Sequence, residues 1–167
     1  YWYPLSLATY WMEEILEAID SLCSFRTSMW EKTAMFEDQF ARYAGTKEAV
    51  MVNSGSSANL LLMFSLRDPV EPVLQPGDEI LVPAVTWPTQ LWSVQMAGFR
   101  PVLVDVDPRT LNMDLSKAER LINQKTKGLF LAHVMGNPCD MKRAMQLCEN
   151  HRLLLLEDAC EALGASY

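Results

Sequence analysis

Apolar residues recur along the first third of the chain at the spacing of two amphipathic helices. From Thr9 to Leu22 the apolar side chains fall on one helical face, with glutamates on the opposite face. A second pattern of this kind runs from about Trp30 to Tyr43, and Gly45 follows as a residue that commonly ends helices. The periodicity therefore predicts an amino-terminal helical segment over residues 1–44.

After Gly45 the pattern changes to short apolar runs that alternate with segments of helical length. The predicted strands are Glu48–Asn53, Glu79–Pro83, Pro101–Asp105, Gly128–Val134 and Leu153–Glu157. The predicted helices between them are Ser57–Arg67, Thr89–Ala97, Asp114–Gln124 and Met141–His151. Alternation of this kind requires crossover connections, which produce parallel strands. We therefore expect an α/β fold, a three-layer α/β/α arrangement with a mostly parallel sheet and helices on both faces.

Composition narrows the classes of function. The chain has 167 residues, of which 50% are hydrophobic and 21% charged, with a net charge of −7. The acidic balance argues against general binding to nucleic acid or to anionic membranes. No apolar run approaches the roughly 20 residues that span a bilayer, and the first residues do not have the pattern of a signal peptide.

The cysteines indicate the redox environment of the protein, and the ends of the chain indicate whether it is a fragment. The 4 cysteines form no CxxC pair, which predicts reduced thiols and a cytoplasmic location. His133, Cys139 and Asp140 match no common metal-ligand spacing, so we expect no metal site. The chain begins with Tyr1, and its predicted sheet stops just before Tyr167, which leads us to expect a fragment of a longer protein.

A turn rich in glycine and serine, Gly55-Ser56-Ser57, lies between an apolar run and a predicted helix. Free backbone N–H groups at such a helix start can bind a phosphate. Asn53 and Ser54 would add further donors. The same residues are also typical of an ordinary helix N-cap, and the sequence leaves both interpretations open.

Asp158 ends the last apolar run, which places a carboxylate where a strand leaves the sheet. Open α/β sheets bind ligands at that edge, and a protonated ring nitrogen would be a suitable partner for a buried carboxylate. The alternative is an N-cap for the residues that follow. Trp87 lies just beyond another predicted strand and would either stack on a ligand ring or fill the core. We interpret His133 as a hydrogen-bonded structural residue.

Taken together these motifs resemble the DegT/StrS-like family of sugar aminotransferases, pyridoxal 5'-phosphate (PLP) enzymes of fold type I that act on nucleotide-linked keto sugars. Segments that carry the resemblance appear in the family's order and spacing. They are FEDQFARYAGTKEAVMVNSGSSANLL, PGDEILVPAVTWPT, FRPVLVDVDPRTLNMD, HVMGNPCDM and LLEDACEALGASY.

The resemblance implies roles for individual residues and domains. Gly55, Ser56 and Ser57 would hold the cofactor phosphate, Trp87 would stack on the pyridine ring, and Asp158 would pair with the ring nitrogen. Glu161 stands where many members have a Gln or His that approaches the 3-hydroxyl of the cofactor. Residues 45–167 would form part of the PLP-binding large domain. The family's sites form at a dimer interface, which implies a homodimer. The family's activity implies a nucleotide-sugar substrate.

The resemblance also leaves the reaction open. The family's Schiff-base lysine lies beyond the EDA segment, so we expect it after Tyr167 and assign no catalytic residue within this chain. A subgroup has histidine there and removes the 3-hydroxyl of a keto-deoxy sugar; the wording SSANLL, MGNP and CEALGA is similar to that subgroup. An aminotransferase, as the commoner activity, and a 3-dehydratase are both expected candidates. A non-catalytic fragment that lacks the Schiff-base residue is the third.

Overall fold

The amino-terminal unit, which extends to Met51, contains two helices in the computed structural model. The structure describes residues 7–165. Helix α1 spans Met12–Cys23 and helix α2 spans Glu31–Ala44, which confirms both predicted helices. Lys32 joins them, since its ammonium donates to the carboxylates of Glu17 at 2.7 Å and Asp20 at 3.0 Å.

The second unit begins at Val52 and is built on a parallel sheet of four strands. The strands are β1 (Glu79–Pro83), β2 (Arg100–Val104), β3 (Thr126–Ala132) and β4 (Leu154–Asp158). They are ordered β2-β1-β3-β4, and every neighbouring pair is parallel. The α/β prediction with a mostly parallel sheet is confirmed.

Helices cover both faces of this sheet. They are α3 (Gly55–Ser65), α4 (Pro88–Met96), α5 (Leu115–Leu121) and α6 (Met141–His151). Apolar side chains of α3 and α4 pack in one buried cluster, and those of α5 and α6 pack in another. Ile80 and Leu81, consecutive in β1, contribute to different clusters because side chains alternate across a strand. The predicted three-layer arrangement is therefore present.

The predicted strand over Glu48–Asn53 is wrong. These residues form no strand, and Val50 and Met51 expose much of their side chains. A strand needs a neighbour for its backbone hydrogen bonds, and no strand among the described residues pairs with this run. The apolar residues of this run led to the prediction, but they do not provide a neighbouring strand.

The parallel arrangement brings the carboxyl ends of all the strands to one edge of the sheet. Trp87 and His133 follow β1 and β3 at this edge, Asp158 ends β4 there, and the start of α3 lies at the same edge. Each helix in residues 7–165 is too short or too polar to span a bilayer.

Candidate functional site

A cleft of about 400 Å³ opens at the carboxyl edge of the sheet. This is the position at which open α/β sheets bind their ligands. Five of the six residues that the sequence singled out contribute to its wall, and Ser57 does not. The wall is formed by Gly55, Ser56, Asn59, Val85, Thr86, Trp87, Thr89, Ala132, His133, Val134, Asp158, Cys160 and Glu161.

The start of α3 supplies one end of the cleft. The Ser54 hydroxyl caps the helix by accepting from the N–H of Ser57 at 3.2 Å, and the Ser57 hydroxyl donates to the Asn53 side chain at 2.6 Å. Both of the donors of Ser57 are therefore engaged within the turn. Gly55 and Ser56 open the helix, and their N–H groups have no acceptor within it. These two amides are the ones placed to bind an anion in the cleft.

Gly55 also leaves room for a ligand. A Cβ atom added to this residue would meet nothing within 4 Å, so packing within the chain does not require a glycine here. The space beside its backbone opens on the cleft. A ligand could approach the N–H groups of this turn closely.

The carboxylate of Asp158 lies at the end of β4 and is half-buried. One of its oxygens, Oδ2, accepts from the side-chain amide of Asn59 at 2.9 Å. The other, Oδ1, accepts from the N–H of Cys160 at 3.1 Å. Each carboxylate oxygen has a further lone pair, so the group is held in place and can still accept from a ligand.

Trp87 also lines the cleft, immediately before α4, with Pro88 in the first turn of that helix. Its side chain is 70% exposed, so it is not the core filler that the sequence also allowed. Gln90 fixes the position of this helix start. The Gln90 amide is fully buried and donates to the carbonyls of Phe130 at 3.0 Å and Leu131 at 3.1 Å in β3.

Thr89 contributes a polar group that the protein itself does not satisfy. Its hydroxyl oxygen, Oγ1, is buried and has no hydrogen-bond partner among the described residues. Such a group costs free energy unless a water or a ligand supplies a partner. Its position in the cleft wall adds to the polar character of that wall.

The loop that follows β3 forms another wall. Asn112 holds it at two points, accepting from the N–H of Val134 at 3.1 Å and donating to the carbonyl of Asn137 at 2.8 Å. The carboxylate of Glu161 accepts from the N–H of Met135 at 2.5 Å. Glu161 thus lies in the cleft wall with one of its oxygens already engaged by the loop.

His133 is buried and hydrogen-bonded at both ring nitrogens. Its Nδ1 accepts from the N–H of Cys139 at 3.1 Å, which places the proton on Nε2, where it faces Glu157 at 3.1 Å. Burial, reinforced by the charge of Glu157, raises the pKa of the Cys139 thiol to about 11. This arrangement agrees with the interpretation of His133 as a structural residue.

Sequence reasoning missed the amides that assemble the cleft, Asn59, Gln90 and Asn112. Each is buried, and each donates to a group far away in the sequence. The available signal for Asn59 was a polar residue inside the apolar stretch of a predicted helix, four positions after Gly55 and therefore on the same helical face.

Comparison with known proteins identifies the family. Residues 10–167 match the model of the DegT/DnrJ/EryC1/StrS aminotransferase family. The chain is 40% identical to the GDP-4-keto-6-deoxy-D-mannose 3-dehydratase of Yersinia pseudotuberculosis, covering 98% of this chain and 42% of that protein. It is 39% identical to the GDP-perosamine synthase of Caulobacter vibrioides, covering 92% of this chain and 39% of that protein.

A solved structure agrees with these relatives. The E. coli GDP-4-keto-6-deoxy-D-mannose 3-dehydratase with bound hydrated PLP superposes with a TM-score of 0.93 at 38% identity, over 99% of this chain and 42% of that one. The chain thus spans about two fifths of the length of the relatives it matches. With the family model covering nearly all of its residues, the chain belongs to the DegT/DnrJ/EryC1/StrS aminotransferase family.

Proposed function

We propose that this chain forms the part of a PLP site that binds the cofactor phosphate and the pyridine nitrogen. The observation that carries the proposal is the meeting of Gly55, Ser56, Trp87 and Asp158 around one cleft. An anion-binding helix start, an exposed aromatic ring and a fixed carboxylate match the three parts of this cofactor: phosphate, ring face and ring nitrogen. Residues 45–167 are then part of the cofactor-binding domain.

The residues present fit the cofactor. The N–H groups of Gly55 and Ser56 are available to phosphate oxygens, and the open space beside Gly55 permits close approach. Asp158 retains lone pairs for a ring N–H. Ser57 and Glu161 would contribute less than the family pattern implies, because both already have partners within the protein.

When bound, PLP supplies an electron sink that stabilises a carbanion beside an imine carbon. The residues of this chain prepare that chemistry. Asp158 would hold a proton on the ring nitrogen by charge pairing, and Trp87 would fix the ring plane by stacking. The turn at Gly55 and Ser56 would anchor the phosphate and so set where the ring lies.

The substrate we propose is a nucleotide-linked keto-deoxy sugar of polysaccharide or secondary-metabolite biosynthesis, and two reactions on it are candidates. Removal of the 3-hydroxyl is favoured by the two similar proteins that are 3-dehydratases of a GDP-linked sugar. Transamination is supported by the family as a whole and by the similarity to a GDP-perosamine synthase. Both would use the same contacts to the cofactor.

A product assay separates these reactions in the complete protein that contains this chain. The protein is given PLP, L-glutamate and GDP-4-keto-6-deoxymannose, and the sugar is examined by mass spectrometry. Loss of the 3-hydroxyl indicates dehydration, and replacement of the keto oxygen by an amino group indicates transamination. An unchanged sugar, together with no binding of PLP, would contradict the proposed function.

The third candidate, a non-catalytic fragment, concerns the 167-residue chain on its own. We expect the Schiff-base residue to lie beyond Tyr167, so borohydride reduction of this chain with PLP should leave no adduct at one specific lysine. A single labelled lysine would overturn that expectation. A homodimer and a cytoplasmic location remain predictions, and light scattering of the complete protein tests the first of them.

A further inference from the structure

We propose that Asn59 is a positioning residue for Asp158, and through it for the ring nitrogen of the cofactor. This inference rests on the proposed function, since it concerns the carboxylate assigned there to the ring nitrogen. The contact that carries it is the hydrogen bond of 2.9 Å from the Asn59 amide to Asp158 Oδ2.

Asn59 occupies a position where an apolar residue would be expected. It lies within α3, in the sequence ANLLLMF, and only 7% of its surface is exposed. Asparagine is a poor helix former, and a buried amide is costly unless it is hydrogen-bonded. Its bond to Asp158 supplies that partner, so the side chain has a specific reason to be polar.

The second contact of Asp158 completes the restraint. Asn59 holds Oδ2 and the N–H of Cys160 holds Oδ1, so both oxygens of the carboxylate have fixed directions. Without Asn59, a single bond to a neighbouring backbone N–H would remain, and rotation about the Asp158 side chain would be less restricted. A carboxylate of variable direction pairs less well with a ring N–H.

The position of Asn59 also relates the two ends of the site. It lies four residues after Gly55, which in an α-helix corresponds to a rise of about 6 Å along one face. The same rigid helix therefore places the anion-binding turn at its start and the restraint on Asp158 one turn later. Asn59 would fix the distance between the phosphate site and the partner of the ring nitrogen.

A double-mutant cycle tests this role in the complete protein, with the dissociation constant for PLP measured by absorbance titration. Asn59→Leu removes the donor while keeping the number of side-chain heavy atoms and the branching at Cγ, and it should weaken PLP binding about tenfold. In an Asp158→Ala background the same change should alter binding less than twofold, because its target is already gone. The matched control is Asn123→Leu, which removes an amide bond of 2.7 Å to the carboxylate of Glu79 at the other edge of the sheet and should leave PLP binding unchanged.

Two further readouts separate positioning from stability. Urea unfolding establishes that each variant is folded under the conditions of the titration. The absorbance of bound PLP should report loss of the ring-nitrogen proton at a lower pH in Asn59→Leu than in the unmodified protein.

The outcomes are distinguishable. An Asn59→Leu protein that is folded and binds PLP normally, or one whose tenfold loss persists in the Asp158→Ala background, would overturn the positioning role alone. Failure of the unmodified protein to bind PLP, or normal binding by Asp158→Ala, would overturn the proposed function itself.

Discussion

The side-chain amide of Asn59 donates a hydrogen bond of 2.9 Å to the carboxylate of Asp158, which lies 99 positions later in the sequence. This bond joins the second turn of α3 to the carboxyl end of β4. As a consequence, the Gly55-Ser56 turn and the acid face one cleft rather than opposite sides of the sheet. A single ligand in the cleft could therefore contact both the turn and the acid.

The backbone N–H of Gly55 can be removed without breaking the helix. Proline is well tolerated at the first helical position, and Ser54 before it is already extended. We expect Gly55→Pro to leave the free energy of unfolding unchanged or raised by up to about 1 kcal/mol. Its affinity for PLP should fall about tenfold, because one charge-assisted hydrogen bond to the phosphate is lost.

Two comparisons control this experiment, which uses urea unfolding and absorbance titration. Gly55→Ala keeps the N–H, and its added Cβ meets no protein atom, so any loss of PLP affinity in this variant measures the space that the ligand needs beside Gly55. Gly55→Pro, which also lacks the N–H, should bind PLP more weakly than Gly55→Ala. Pyridoxal, which has no phosphate, should bind equally to the unmodified and Gly55→Pro proteins. A Gly55→Pro protein with unchanged affinity for PLP would rule out a phosphate contact at this amide.

Trp87 and Trp92 offer a matched pair of exposed tryptophans. Both lie at or in α4, with 70% and 56% of their surface exposed, but only Trp87 lines the cleft. Trp87→Ala should weaken PLP binding about fivefold, corresponding to loss of a stacking contact of about 1 kcal/mol. Trp92→Ala should not change it. Equal effects of the two substitutions would argue against stacking on Trp87.

The cysteines predict a pattern of alkylation. Cys139 and Cys148 are buried, and burial raises the pKa of each thiol to about 11, in Cys139 with a further contribution from Glu157. Cys23 and Cys160 are exposed. At about pH 8, near the ordinary thiol pKa, iodoacetamide should therefore label the exposed pair and spare the buried pair until urea is added. Peptide mass spectrometry measures each site.

The same labelling reports on ligand binding. Cys160 lines the cleft, whereas Cys23 belongs to the other unit of the chain. Added PLP should slow the labelling of Cys160 and leave that of Cys23 unchanged. If saturating PLP protects neither, the cofactor does not occupy this cleft.

The charge of Asp107 is expected to make the stability of the fold depend on pH in the acid range. Its side chain accepts from the Arg109 guanidinium at 2.7 Å and from the Arg109 N–H at 2.9 Å, and these bonds lower the pKa of its carboxyl from 3.8 to about 2. A carboxyl with a lowered folded-state pKa stabilises the fold above its unfolded pKa, and this stabilisation is lost as the pH falls toward the folded value. The difference in urea midpoint between the unmodified protein and Asp107→Asn should therefore shrink from about pH 4 to about pH 2. A difference independent of pH in that range would show that the charge of Asp107 contributes nothing.

Local signals explain which elements the sequence predicted. Helix α6 has the ends that were predicted, and both ends are set by residues next to them in the sequence. At its start the Asp140 carboxylate accepts from the N–H of Arg143 at 3.0 Å, and at its end Arg152 adopts the left-handed conformation. Helix α5 is shorter than its predicted range, 114–124. The segment after it is held by the bond from Asn123 to Glu79, a partner 44 positions away that periodicity does not reveal.

Some features of the site could likewise be predicted from the sequence, and others could not. The Gly-Ser turn and Asp158 were predictable, since parallel strands bring their carboxyl ends to one edge. The bond between Asn59 and Asp158 was not, because it depends on how α3 packs across the sheet. The engagement of Ser57 by Ser54 and Asn53, and of Glu161 by Met135, likewise became visible only with side-chain geometry.

A crystal structure of the complete protein with PLP would show whether the Gly55-Ser56 turn and Asp158 hold one cofactor molecule. We expect the phosphate oxygens to accept from the N–H groups of Gly55 and Ser56, and the ring nitrogen of the same molecule to lie within hydrogen-bond distance of Asp158. A cofactor bound elsewhere, or one whose ring nitrogen points away from Asp158, would contradict this expectation.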